Sequence, residues 1–479
     1  INYYKSLGYY DVQVLSSNAE ISKDNLTTLT YTINAGVRYK ITKISTDVSN
    51  VLDKKLFIPM QDLYVKNIGK YYSPFLVKKL LDRLDLLIVN NDLQFIEHSV
   101  NEILDGDEIE IKINVYEGSK QLVERIDVLG NSVTDEAVIR AELLIDEGDP
   151  FNKLKFEKSI AKLKARNLFG EVKYKIQDGT SSDLKLVQIQ VEEKPTGEIT
   201  AGAGIGTSGG SFAFSISENN WLGKGINLAT SLDVSAETLS GTLIVTDPNY
   251  NFSGNTLKYF VQNTSNDKPD SGFKNNITTT GIGTKFEQYN NIYLSPGLAV
   301  SYDDLQVEST ASDALKKQKG TFTDLSFDYG ISADNRDRVY APTDGYFTRF
   351  SQVLPLYSDT PALGTTYVLN TYKPMSPDVI GSFKLFATAI TGLNDEDVRI
   401  SKRAMLPSSK LRGFKPGKVG PKDGNDYIGG NYALATNFEA NLPNFLPESS
   451  KTDIGLFLDF GNVWNVDYNN NIDSNKIRS

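Results

Sequence analysis

Few residues in this chain are equipped for reaction chemistry. There is one histidine, His98, and no cysteine, which excludes thiol nucleophiles, disulfides and cysteine metal sites. His98 lies away from any matched serine–aspartate constellation, and a solvated or strand-edge imidazole is a simpler reading than a general base. No P-loop, dinucleotide fingerprint or metal-ligand spacing occurs, so neither cofactor nor metal is expected. Gly202-x-Gly204-x-Gly206 imitates a nucleotide loop but follows no βαβ unit and opens a strand. Adjacent acids such as Glu192-Glu193 read as solvated. The most suggestive side chain is Arg412, within Leu411-Arg412-Gly413-Phe414. Its guanidinium offers a planar fork of donors that fits a carboxylate bidentately. The chemistry on offer is ion pairing rather than catalysis, so an enzyme is not expected.

Arg412 must be positioned by strands. It sits in a long loop that continues through Gly420-Pro421 and Gly429-Gly430-Asn431 into a strand from Tyr432 to Leu442. From Thr196 onward, strand-like runs recur between turns rich in Gly, Asn, Asp and Pro. Ser382–Ile390 puts Phe383, Leu385, Ala387 and Ala389 on one face, with Lys384, Phe386 and Thr388 on the other. In the run 453–461, Ile454, Leu456, Leu458 and Phe460 face one way. Asp453, Gly455, Phe457, Asp459 and Gly461 face the other. A membrane barrel would turn the first set to lipid and the second to its lumen. A soluble sandwich would bury the apolar set instead.

Composition leaves both open. Hydrophobic residues make up 39% of the 479 and mean hydropathy is -0.31. No run approaches the roughly 20 apolar residues of a membrane helix; the longest patch, Leu84–Val89, is interrupted by Asp85. Any membrane span must therefore be made of strands. A formal charge of -10 argues against nucleic acid as a partner.

Before Pro195 the pattern is different, with helical and strand signals alternating at a period of about 80 residues. Three segments end alike, in Leu29–Gly36, Ile109–Gly118 and Val187–Lys194, each alternating apolar and polar residues. Ser6–Val12 also matches Asn167–Val172. In the last repeat, Arg125–Leu129 reads as a strand, Thr134 and Asn152 as helix caps, and Phe156, Ile160 and Leu163 as one helix face. Strands around Val172–Ile176 and Val187–Val191 complete a β-α-α-β-β order. This order resembles the POTRA (polypeptide-transport-associated) domain. Residues 1–37 then form the C-terminal part of one such domain, 38–120 a second and 121–194 a third. Such repeats serve either as spacers or as edge strands that receive an extended client by β-augmentation.

The Leu411–Phe414 block, with Gly420-Pro421 after it, resembles the arginine-glycine-phenylalanine signature of the BamA superfamily. So do Asn220–Gly225, Thr246-Asp247-Pro248, Arg336-Asp337-Arg338 with Pro342–Gly345, and Phe457–Trp464. The resemblance implies α+β POTRA repeats followed by an antiparallel transmembrane β-barrel over 195–479, in the bacterial outer membrane with the repeats in the periplasm. It implies that Arg412 folds back into the lumen, with Asp459 of the Phe-x-Asp-x-Gly motif and Glu439 as partners on the barrel wall. The alternative is an exposed loop arginine. Gly413 would allow a sharp turn, and Phe414 would wedge the loop against the wall.

The implied function is folding and insertion of β-barrel proteins, with unfolded outer-membrane clients, accessory lipoproteins, periplasmic chaperones and the lipid bilayer as partners. The first strand, with Ile199, Gly202, Gly204 and Gly206, is the candidate lateral gate, since a Gly-rich strand pairs weakly. A two-partner secretion transporter or a TamA-type factor remains the alternative, and a soluble adhesin a third. The opening at Ile1 and the close at Ser479, without a terminal aromatic strand, read as truncation at both ends, leaving about 14 strands of a larger barrel.

Overall fold

A computed structural model describes residues 1–21, 27–91, 93–206, 209–289, 291–339, 341–376, 379–442, 454–468, 472 and 474–475. Asp453 and the last four residues, 476–479, lie outside these. The chain divides into two compact units, one comprising residues 1–132 and 136–194, the other 133–135 and 195–479.

Among its described residues the first unit contains three small sheets. Gln13–Ile21 and Thr27–Asn34 form an antiparallel hairpin. Lys40–Val48, Glu108–Glu117 and Ile96–Asp105 form a three-stranded sheet, with Glu108–Glu117 central and parallel to Lys40–Val48. The central strand buries Ile109, Ile111, Ile113 and Val115 on one face, as strict alternation requires. Against that face the helix Pro74–Asn90 lays Val77, Leu80, Leu84 and Ile88, spaced three and four apart. Each such buried aliphatic side chain contributes about 1.5–3 kcal/mol.

The arrangement recurs in the third sheet. Leu122–Leu129 runs parallel to the central Leu184–Glu193, which pairs antiparallel with Phe169–Asp178. The intervening helices are Glu136–Arg140 and Lys153–Ala165. Asn152 caps the second, its Oδ1 accepting the Lys155 amide at 3.0 Å. Phe156, Ile160 and Leu163 are buried beneath it. His98 stands on the edge strand Ile96–Asp105 but is not solvated as the alternative reading had it. Its Nε2 lies 2.7 Å from Asp85 Oδ1 on the helix, and the side chain is 19% exposed.

The second unit is built on one sheet of 13 antiparallel strands among the described residues. Successive strands pair, from Gly197–Gly206 at one edge to Ile454–Trp464 at the other. Among the described residues the longest connection runs from Val379–Gly392 to Tyr432–Leu442, and it carries Arg412. Leu456, Leu458 and Phe460 are each more than half exposed, while Ala433, Ala435 and Asn437 of the adjoining strand are buried on the other face. A sandwich would hide the apolar set in its core. An exposed apolar face backed by a polar interior is the pattern of a barrel in lipid. No helix among the described residues is long and apolar enough to cross a membrane.

Candidate functional site

The strands Tyr432–Leu442 and Ile454–Trp464 pair so that Asn437 stands opposite Asp459, and Glu439 opposite Phe457. Alternation turns all four toward the interior, so two carboxylates from neighbouring strands converge there. Alone they would repel; the loop supplies the cation.

Arg412 addresses Asp459 bidentately, with Nε donating to Oδ2 at 2.7 Å and Nη2 to Oδ1 at 2.6 Å. Its backbone amide also donates to Oδ2, at 3.0 Å. Nη1 lies 2.8 Å from Glu439 Oε1, and the guanidinium carbon stacks 3.9 Å from the centre of the Phe457 ring. One side chain thus uses charge, a two-point fork and a π face at once. Asp459 is only 4% exposed, so its charge depends on these partners.

Three supporting residues were not singled out from sequence as part of this site. Asn437 donates through Nδ2 to Asp459 Oδ1 at 2.8 Å and to the Lys410 carbonyl at 2.9 Å, tying wall to loop. Lys384 places its ammonium 2.5 Å from Glu439 Oε2, where Ser382 also donates, at 3.2 Å. The signal was present, because Lys384 and Asn437 interrupt apolar strand runs on the same side as Glu439. Charge alternation alone does not say which neighbour will meet which.

The hydrophobic contact of the motif differs from expectation. Phe414 is 52% exposed and does not wedge the loop against the wall. Leu411 does so instead: it is 5% exposed and packs with Leu406, Ala433, Ala435 and Val463. The chain reverses between the two residues at Gly413, whose φ of 82° suits glycine. Leu411 is therefore packed on the wall while Phe414 is left exposed. Gly461 admits the loop, because a Cβ there would meet Leu406 Cδ1 at 2.8 Å.

The candidate gate residues lie far along the sheet from Arg412. Ile199, Gly202, Gly204 and Gly206 pair with Ile216, Ala213, Ser211 and Gly209, and among the described residues their strand has a partner on that side only. The turn motif 336–344 is ordered by Asp337, which accepts from Thr343 Oγ1 at 2.6 Å and from the Thr343 and Asp344 amides at 2.9 and 3.1 Å. These bonds hold its carboxyl well below the usual range, the Thr343 side chain contributing most.

The antiparallel sheet that carries this loop is similar to those of known proteins. The Omp85 superfamily domain matches residues 220–479, more than half of the chain. The chain belongs to the Omp85 superfamily. A POTRA repeat, described as a surface antigen variable number repeat, matches residues 121–194. The outer membrane protein assembly factor BamA of Neorickettsia risticii is 24% identical over all of this chain and 65% of its own length. That of Neisseria meningitidis serogroup B is 24% identical over 97% of this chain and 62% of its own. The chain thus spans somewhat under two thirds of these relatives. The crystal structure of BamA from Haemophilus ducreyi lacking POTRA domains 1–3 shares the fold, with a TM-score of 0.62 at 19% identity, covering 89% of this chain and 88% of that one. This Omp85 chain is therefore similar to BamA-type assembly factors, and its sheet is a barrel sheet of the outer membrane, with the POTRA part in the periplasm.

Proposed function

We propose that the intact protein folds and inserts β-barrel proteins into the outer membrane, acting by template and scaffold rather than by catalysis. The observation that carries this reading is Arg412 held by Asp459 and Glu439 on the strands Tyr432–Leu442 and Ile454–Trp464. In this reading the latch keeps the loop inside the lumen and braces those strands. The first strand, Gly197–Gly206, is the lateral gate, parting to offer its backbone to a client strand. Its glycines support that role, because they contribute little side-chain packing to the seam.

Residues 1–37, 38–120 and 121–194 are read as one partial and two whole POTRA domains. Their edge strands, Ile96–Asp105 among them, receive clients in extended form. Accessory lipoproteins and periplasmic chaperones are the further partners of this reading. Vesicles reconstituted with the intact protein test it. A denatured barrel client is expected to fold faster in them than in empty vesicles. Equal folding rates, or export of a single soluble substrate without client folding, would overturn it in favour of a secretion transporter.

A further inference from the structure

Between Val398 and Lys422 this acidic protein carries eight cations and no acid. Arg412 is only one of them. A second group of loop residues enters the wall 13 positions earlier, at Arg399. Its Nη2 lies 2.6 Å from Asp324 Oδ2 and its Nε 3.2 Å from Asp303 Oδ2, while Nη1 donates to Thr360 Oγ1 at 2.8 Å. Lys402 reaches Asp324 Oδ1 at 2.8 Å, and Ser401 donates to Asp303 Oδ2 at 2.6 Å. Two cations therefore balance two carboxylates. The Arg399 and Asp303 side chains are 4% and 2% exposed, drier than the Arg412 site.

The two sites lie on different parts of the wall. Asp303 and Asp324 belong to Ile292–Val307 and Gly320–Asp334, the seventh and eighth strands of the sheet counted from Gly197–Gly206. Glu439 and Asp459 belong to the twelfth and thirteenth. The chain between them is not slack, because Ala404, Leu406 and Leu411 are buried along it.

We propose that residues 399–412 form a strut across the lumen, with Arg399, Ser401 and Lys402 as a second anchor, and that this anchor positions Arg412 on the last described strands. The inference rests on the lumen-seated loop of the proposed function and assigns it a second point of attachment. Buried carboxylates cannot exchange a lost guanidinium for water, so releasing the second anchor shifts the whole segment rather than one side chain.

Limited trypsin digestion of the full-length protein in lipid nanodiscs tests the strut. The informative bonds follow Lys410, Arg412 and Lys418, since Lys415 precedes Pro416. Arg399→Gln is expected to speed cleavage there by at least about tenfold, the effect of losing little more than 1 kcal/mol of a buried pair. Arg399→Lys, which keeps the charge but not the fork, is expected to fall between. Should Arg399→Gln fail to fold, Lys402→Met is read in the same way. Unchanged cleavage, or faster cleavage confined to Lys402 and Arg403, would overturn the strut. Client folding by the unmodified protein in the same nanodiscs is scored separately. Its absence defeats the assembly proposal without altering the cleavage result.

Discussion

Replacing Arg412 by glutamine removes the cation and leaves the wall intact. Asp459 then keeps only the Asn437 amide and the residue 412 backbone amide, while Glu439 keeps Lys384. Breaking a buried ion pair by removing one partner costs about 3–5 kcal/mol. Arg412 is itself a third exposed, and Asp459 retains two donors, so the effect here falls to about 2–3 kcal/mol. At about 1.4 kcal/mol per factor of ten, the released loop becomes roughly 30 to 150 times more populated. Hydrogen exchange at the residue 412 amide reads this directly, because that amide donates to Asp459 in the latched state. The double variant Arg412→Gln/Asp459→Asn is expected to recover at least half of the loss, since no carboxylate then stays buried without its cation. Exchange equal to wild type in the single variant, or a double variant less protected than the single, would show that the Arg412–Asp459 pair does not hold the loop.

Three further outcomes are expected. Leu411→Ala is expected to lower barrel stability in detergent by about 2–3 kcal/mol, whereas Phe414→Ala changes it by less than about 0.5, because only the first side chain is packed; equal effects on thermal unfolding would contradict the packing described. Asp337 has a folded pKa below its unfolded one, so its contribution to the 336–344 turn is fully present above the ordinary carboxylate range. It is lost as pH falls through the depressed value, and the protection of the Thr343 and Asp344 amides, relative to their intrinsic exchange at each pH, should stay flat from pH 7 to about 5 and fall only in stronger acid. A Cβ at Gly202 meets open space, so Gly202→Val is expected to leave the fold intact, tighten pairing with Ala213 and slow client folding; an unchanged folding rate would remove the gate role from this strand.

Much of the fold was legible because two periodicities carry it. The spacing of Phe156, Ile160 and Leu163 marks a helix face, and the alternation through Leu456–Phe460 marks a strand. What alternation cannot give is which face meets the core. Leu456, Leu458 and Phe460 fit a sandwich as well as a barrel, and only their exposure decides between them. His98 shows the same limit on a smaller scale. Its partner Asp85 sits on a helix 13 residues earlier, a distance that no local pattern spans.

The site divides along the same line. Arg412, Asp459 and Glu439 were readable because a motif names them, and strand register then brings the two acids together without further instruction. The role given to Phe414 failed because a motif names residue types but not the direction of a turn. The chain turns at Gly413, with φ of 82°, and burial goes to the smaller aliphatic before the turn while Phe414 after it stays exposed. Arg399 and Lys402 lie in no motif. The one trace they leave in the sequence is a run without acids, and such a run reads as a solvated basic loop until Asp303 and Asp324 are seen facing it. Those acids are more than 70 residues away and separated from each other by a helix and a turn. The charge of this loop is therefore intelligible only as half of a pair, the other half spread around the wall of the sheet. That division explains how an acidic chain can keep eight cations within 25 residues without self-repulsion expelling the loop.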